Sequence, residues 1–264
     1  MPKIKQPKVS TDMFDAIEYE SLAHTAATQI ERLILSGILK SGMSLPGERD
    51  LALQFGISRP KVREAFVELE ANGLIRIVAG EGVFITQLSA PAMSPALVSL
   101  YTRHPTAIHD HLAYRSVQEG FAARLAAERG TKIDRERIES LVSQMRKAHA
   151  DGDHELGSDI DSQFHIAITN ASHNHTLIHM MSSLYAMSRE SVFFARNKIM
   201  DIEEVSGSLL GQHEAIADAI LLGDGDAAER ASIDHIAYVR RSTEDAMAKR
   251  EREISARKRY PTQD

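Results

Sequence analysis

From Ser21 onward, apolar residues return at three- and four-residue steps: Leu22, Ala26, Ile30, Leu33 and Ile34. That spacing lays one stripe along a helix, and Gly37 ends it. Leu45-Pro46-Gly47 reads as a turn. Glu48 to Phe55 predicts a short helix with Leu51, Ala52 and Phe55 on one side, stopped by Gly56. Ser58 is placed to cap a third helix, because its side-chain oxygen suits the free amide hydrogens of a first turn. Pro60 is tolerated there. Val62, Ala65, Phe66 and Leu69 form the buried stripe of that helix, and Asn72-Gly73 closes it. Leu74–Val78 and Val83–Ile85 are then short apolar runs around Ala79-Gly80-Glu81-Gly82, which predicts a hairpin.

Ser89 to Pro105 carries three prolines and reads as a linker with at most one short helix. Beyond it the helical period dominates. Six helices are expected, near 107–129, 134–150, 154–171, 174–196, 203–222 and 226–248, with breaks at Gly130, Gly152, Ser172-His173, Asp201 and Gly223-Asp224-Gly225. The fold expected is mainly α, in two parts. Residues 21–87 form a winged helix-turn-helix, three helices plus a small β-hairpin, and 106–248 an all-α bundle of six to seven helices. A flexible arm (1–20), a linker (88–105) and a charged tail (249–264), read as a fraying extension of the last helix, complete the division.

Composition narrows the function. No cysteine is present among the 264 residues, which excludes disulfides and thiolate metal sites. No apolar run is long enough to cross a bilayer and no signal peptide is read, so a cytoplasmic protein with no membrane partner is expected. The net charge is -6, and residues 1–87 carry ten Lys+Arg against eleven Asp+Glu. Binding to a polyanion must therefore depend on where the cations sit. They sit at the front of the third helix, Ser58-Arg59-Pro60-Lys61-Val62-Arg63. Arg59 and Arg63 are four apart and share a face, and a guanidinium matches guanine O6 and N7 in a way lysine does not. Arg49 would reach a phosphate or neighbouring base, and Gly80 and Gly82 would let the wing approach the backbone of DNA. On charge alone, a merely solvated helix face explains these residues as well. The helix-turn-helix layout around them favours the DNA reading.

The second half offers metal-ligand chemistry. Asp161 and His165 are four apart on one helix face. His213 lies on the stripe Leu209, His213, Ile216, Ile220, and His235 on the stripe Ala228, Ala231, His235, Tyr238, Val239. A buried carboxylate is costly unless a cation neutralises it. Asp161, His165, His213 and His235 together suit a divalent metal, zinc first, with nickel or manganese as alternatives. Each histidine taken alone is better read as a satisfied core group, and only the four together make the metal reading its equal. His175 and His179 form a rival pair that lacks a carboxylate. Arg115 falls on the inner stripe Ile108, Leu112, Arg115, Ala122, Ala126. There it would meet a carboxylate effector or pair with Glu119 or Asp161.

Three stretches, Leu45 to Ala52, Gly56 to Ala65 and Leu69 to Ile75, resemble the GntR family of bacterial regulators. The resemblance implies that Arg49, Arg59 and Arg63 contact DNA, with Ser58 on the DNA backbone and Gly80 at the wing tip. Lys61 shares that turn. Ala79 stands where the family usually has a basic or bulky residue. Tyr114-Arg115, Glu119, Asp161, Phe164-His165, Ala171 to Asn174, Gln212-His213 and His235 resemble the FadR-like branch with its helical FCD domain. In its metal-binding members one Asp and three His at these places hold the cation. Ala113 replaces an acidic residue common in the branch. Within it the sequence looks most like regulators answering to lactate, pyruvate or related acids. The resemblance also implies a homodimer on a pseudo-palindromic operator of double-stranded DNA. The function expected is thus a DNA-binding regulator, not an enzyme, controlled by a small carboxylate near the metal. The alternatives are a regulator binding an acyl chain without metal and, since such a metal can activate water, a metal-dependent hydrolase.

Overall fold

A computed structural model describes residues 21–87, 100, 104–191 and 203–260. The expected arm 1–20, most of the linker and residues 192–196 of the fourth expected helix of the second half lie outside the described residues. The chain divides into two compact units, 1–88 and 89–264.

The first unit is a winged helix-turn-helix. Helices α1 (Leu22–Leu35), α2 (Glu48–Phe55) and α3 (Arg59–Ala71) precede strands β1 (Ile75–Val78) and β2 (Gly82–Ile85). The strands pair antiparallel, Ile75 opposite Ile85 and Val78 opposite Gly82. One core holds Ile30 and Ile34 of α1, Leu51 of α2, Val62, Phe66 and Leu69 of α3, and Ile75 and Ile85 of the wing. Three residues of the expected stripe on α1, Ala26, Ile30 and Ile34, are buried. Ala23 and Ala27 are buried, whereas Leu22 and Leu33 are 45% and 36% exposed. Small residues face inward because α3 packs directly against this helix. Gly56 adopts φ 67°, the left-handed turn that redirects the chain into α3. Ser58 occupies the N-cap position but its side chain makes no capping hydrogen bond; its carbonyl accepts from Lys61 and Val62 instead. The wing also gains an edge that periodicity does not reveal. Ser44 bridges Phe84, and the Leu45 amide donates to Val83 O at 2.8 Å.

In the second unit the described residues form six helices: α4 (Pro105–Arg129), α5 (Lys132–Asp151), α6 (His154–Ala171), α7 (His175–Ser191), α8 (Glu203–Leu222) and α9 (Gly225–Arg259). Local chemistry sets their starts. Thr131 and Asp134 form a reciprocal capping box on α5, Asp153 caps α6 through Leu156 N, and Asp224 caps α9 through Ala227 N. Helix α9 continues past 248 to Arg259, so residues 249–259 of the charged tail are its last three turns, the helix extension expected there. Helices α4 and α9 lie side by side, and Gly120 permits it: a Cβ there would stand 2.8 Å from Ile233 Cγ1. The core of this unit includes Ile138, Leu141, Ile160, Phe164, Met181, Ile216 and Ile220. No described helix is long and apolar enough to cross a membrane.

Arg135 ties two helix ends together. Its guanidinium donates to the carbonyls of Ile220 (2.5 Å), Leu221 (2.7 Å), Ala127 (2.9 Å) and Gly130 (3.2 Å). Carbonyls at a helix C-terminus lack intrahelical partners and attract a cation. Arg135→Ala should lower unfolding stability by roughly 2–3 kcal/mol in urea titrations, with helical content in native buffer unchanged.

Candidate functional sites: a basic helix start and a buried histidine cluster

The front turn of α3 faces solvent. Side chains of Arg59 and Arg63 are each 62% exposed, and Arg49 at the start of α2 is 79% exposed. Glu48, a residue the sequence reading passed over, organises them. Arg63 Nε and Nη2 donate to Glu48 Oε1 and Oε2 at 2.9 and 2.7 Å, and Arg59 Nη2 stands 3.9 Å from the same carboxylate. The hydrogen bond from Arg63 holds the Glu48 carboxyl below its usual range. Solvent screens such a pair, so it holds little energy and orients Arg63 without locking it. Lys61 is drawn to Glu64 at 2.6 Å, and Arg49 Nε is 3.3 Å from Asp50 Oδ1. Gly80 stands at the tip of the hairpin with φ 80°.

The second site is buried. Helix α6 supplies Asp161 and His165, α8 supplies His213 and α9 supplies His235, each at most 4% exposed. One ligand atom from each lies within 4.8 Å of all the others. His213 Nε2 is 3.0 Å from Asp161 Oδ1, and the three imidazole centroids are 4.5 to 5.5 Å apart. Phe164 sets its ring edge-on to His165 and His213. The outer nitrogens are held. His165 Nδ1 lies 2.9 Å from Glu119 Oε2, and His235 Nδ1 lies 3.0 Å from Gln212 Oε1. Fixing Nδ1 in this way turns Nε2 inward as a donor of electrons, the arrangement that metal-binding histidines use. His175 is exposed and His179 half-buried, and neither joins the cluster.

Arg115 is on the inner face of α4, and Glu119 takes it. Nε and Nη2 donate to Glu119 Oε1 at 2.8 and 2.5 Å, while the guanidinium lies over the Tyr185 ring. A relay results, Arg115 to Glu119 to His165. Burial would raise the Glu119 pKa, but Arg115 and His165 beside it hold the carboxyl far below its usual value. Burial opposes a charged His165, yet Glu119 and Asp161 outweigh it and raise the imidazole to about 9. Burial and Arg115 push His111 down to about 4, leaving it neutral at pH 7.

The donor set fits a metal. His165 Nε2 is buried and makes no hydrogen bond among the described residues, with Asp161 Oδ1 3.8 Å away. Ligands 2.0–2.2 Å from one centre stand at most about 4.4 Å apart, so rotamer shifts of a few tenths of an ångström suffice. Charge agrees. Two buried carboxylates face one guanidinium, so without a metal His165 holds a proton to balance them, and a bound cation would take that proton's place. Glu119 was named from sequence only as a partner for Arg115. Gln212 was named from sequence only within the resemblance, since its neighbour His213 already claims the inward position.

Comparison with known proteins identifies both parts of the chain. Residues 22–85 match the family described as bacterial regulatory proteins, gntR family, and residues 110–238 match the FCD domain. The chain is 32% identical over 232 residues to the Glc operon transcriptional activator of Escherichia coli (strain K12), covering 86% of this chain and 91% of that one. It is 33% identical over 222 residues to a regulatory protein of the same organism named for the L-lactate dehydrogenase operon, covering 83% and 84%. A solved GntR structure from Streptococcus agalactiae shares 25% identity with a TM-score of 0.51 over 83% of this chain and 99% of that one. These relatives are transcription regulators and not enzymes. With a winged helix that bears exposed arginines and an FCD domain behind it, this chain belongs to the GntR family of DNA-binding transcription regulators.

Proposed function

We propose that the protein's operator affinity is set by a small carboxylate effector bound at a divalent metal, zinc first, held by Asp161, His165, His213 and His235. The convergence of those four ligand atoms in a buried pocket, with the outer nitrogens of His165 and His235 already fixed, carries the reading. Bound there, the metal supplies a Lewis-acid position for an oxygen ligand. Charge points to an anionic effector. With metal bound and His165 neutral as a ligand, Asp161 and Glu119 against Arg115 leave one negative charge, the dication turns the sum to one positive, and a monocarboxylate restores neutrality. Arg115 engages Glu119 through Nε and Nη2, and an effector oxygen would reach its Nη1 only if the closely packed Glu119 side opens. The relative named for the L-lactate dehydrogenase operon favours a hydroxy- or keto-acid.

An acyl-chain ligand without metal finds less support, because it leaves the four converging ligand-type residues without a role. A hydrolase finds none in the relatives. At the other end, Arg49, Arg59, Lys61 and Arg63 with Ser58 and Gly80 meet a pseudo-palindromic operator, and two copies of the chain supply its two reading heads in the cytoplasm. The effector prefers one arrangement of the dimer and so shifts DNA affinity.

Thermal unfolding tests the sensor. Zinc should raise Tm over chelator-treated protein. L-lactate or pyruvate at about 100 times its Kd should add about 2.7 kcal/mol of stability, and only with zinc present. A Tm indifferent to zinc, or a carboxylate effect that survives chelation, would overturn the metal-bound effector.

A further inference from the structure

The cluster is closed on one side and open on the other. On the Glu119 side, a space lined by His165, Thr169, Tyr185 and Ser232 has no room for water. On the Asp161 and His213 side, a cleft of about 40 Å³ leads away between the C-terminal end of α5, the first turns of α6 and α8, enough for a few waters. Exposure along it is graded. Asp161 and His213 are buried at the floor, Gly157 is half-buried in the throat, and His149, Asp153 and His154 are exposed at the mouth. We propose that this cleft is the route by which the divalent cation reaches and leaves the cluster, with His149, Asp153 and His154 collecting it at the mouth. The proposal rests on the metal reading above.

The chemistry of the mouth supports the assignment. Two imidazoles and a carboxylate are the same donor types that hold the cation at the floor, so an ion passing inward exchanges water for similar ligands step by step. Asp153 commits Oδ1 to the Leu156 amide at 3.0 Å as the cap of α6, which fixes the carboxylate and leaves Oδ2 for a cation. The walls between are apolar, Met145, Ala148 and Leu209, and do not hold the ion midway. Gly157 lines the throat and adds no side chain to it. A Cβ built there meets no atom within 4 Å, so a larger side chain has space to extend without disturbing the helix.

The test is kinetic and uses the full chain. Zinc-loaded protein is mixed with excess chromogenic chelator to follow release, and zinc-free protein is mixed with zinc to follow loading. Gly157→Leu should slow both rates about tenfold, the effect of a small added barrier, while equilibrium zinc content and affinity stay at wild-type values. His149→Ala with His154→Ala should slow loading and release together, again with affinity unchanged, because a route alters rates in both directions equally. Asp153→Asn, which keeps the helix cap, should do the same more weakly. If Gly157→Leu lowers equilibrium zinc content, the double alanine variant, made at exposed positions, decides alone. Unchanged rates in that variant overturn the route. Wild-type protein that takes up no zinc overturns the metal reading and the route with it.

Discussion

Asp161→Ala combined with His165→Ala should leave the purified protein without stoichiometric metal and abolish the rise in Tm on adding zinc. Asp161 is the one carboxylate among the four ligands, and its Oδ1 lies within 4 Å of Nε2 on both His165 and His213. Removing it with His165 leaves two imidazoles, which a structural or effector-binding metal cannot use as a stable site. Glu119→Gln makes a graded comparison. It keeps a hydrogen-bond acceptor for His165 but removes charge from the relay, and loss of such an outer partner weakens metal binding about 10- to 100-fold. Elemental analysis after gentle purification reads both. Retained stoichiometric metal in the double variant would move the site elsewhere.

Arg59→Ala should weaken binding to the specific operator by about 1–3 kcal/mol, measured by fluorescence anisotropy at one fixed salt concentration. Arg59→Lys should not restore it, since the paired donors of a guanidinium are lost. Arg63 adds a second expectation that arises only from the structure. Its guanidinium is already turned by Glu48, through two hydrogen bonds. Arg63→Ala should cost a similar amount, and Glu48→Gln less, because that change removes orientation and leaves the arginine. Operator affinity unmoved by Arg59→Ala and Arg63→Ala would deny both residues a role in reading DNA.

Much of the fold was legible because it depends on local rules. Gly56, Gly73, Gly152 and Gly223 each adopt positive φ at a helix end, and a glycine after an apolar stripe announces that conformation before any contact is known. The stripes on α3, α4 and α8 were read correctly, down to the inward aim of Arg115 and His213. On α1 the expected Ala26, Ile30 and Ile34 are buried, but Leu22 and Leu33 are exposed and Ala23 and Ala27 take the inner face, where α3 packs against the helix. Helix α9 ran longer than its apolar stripe, since charged residues in its last turns have good helix propensity and need no core.

Side-chain pairing divides in the same way. Spacing alone put Asp161 beside His165 on α6 and Arg115 within reach of Glu119 on α4, as residues four apart on a helix must be. That Glu119 also holds His165, that Gln212 holds His235 and that Glu48 gathers Arg63 are contacts between different helices.

The amino-acid order by itself therefore determined the elements, their inner faces and the four ligand-type residues that point inward. Only tertiary packing decided that α6, α8 and α9 bring those residues to within 4.8 Å of one another, and that one side of the cluster is sealed while the other opens to solvent. The physical reason is range: helical periodicity specifies direction over a few residues, whereas distances between helices follow from how whole faces interlock.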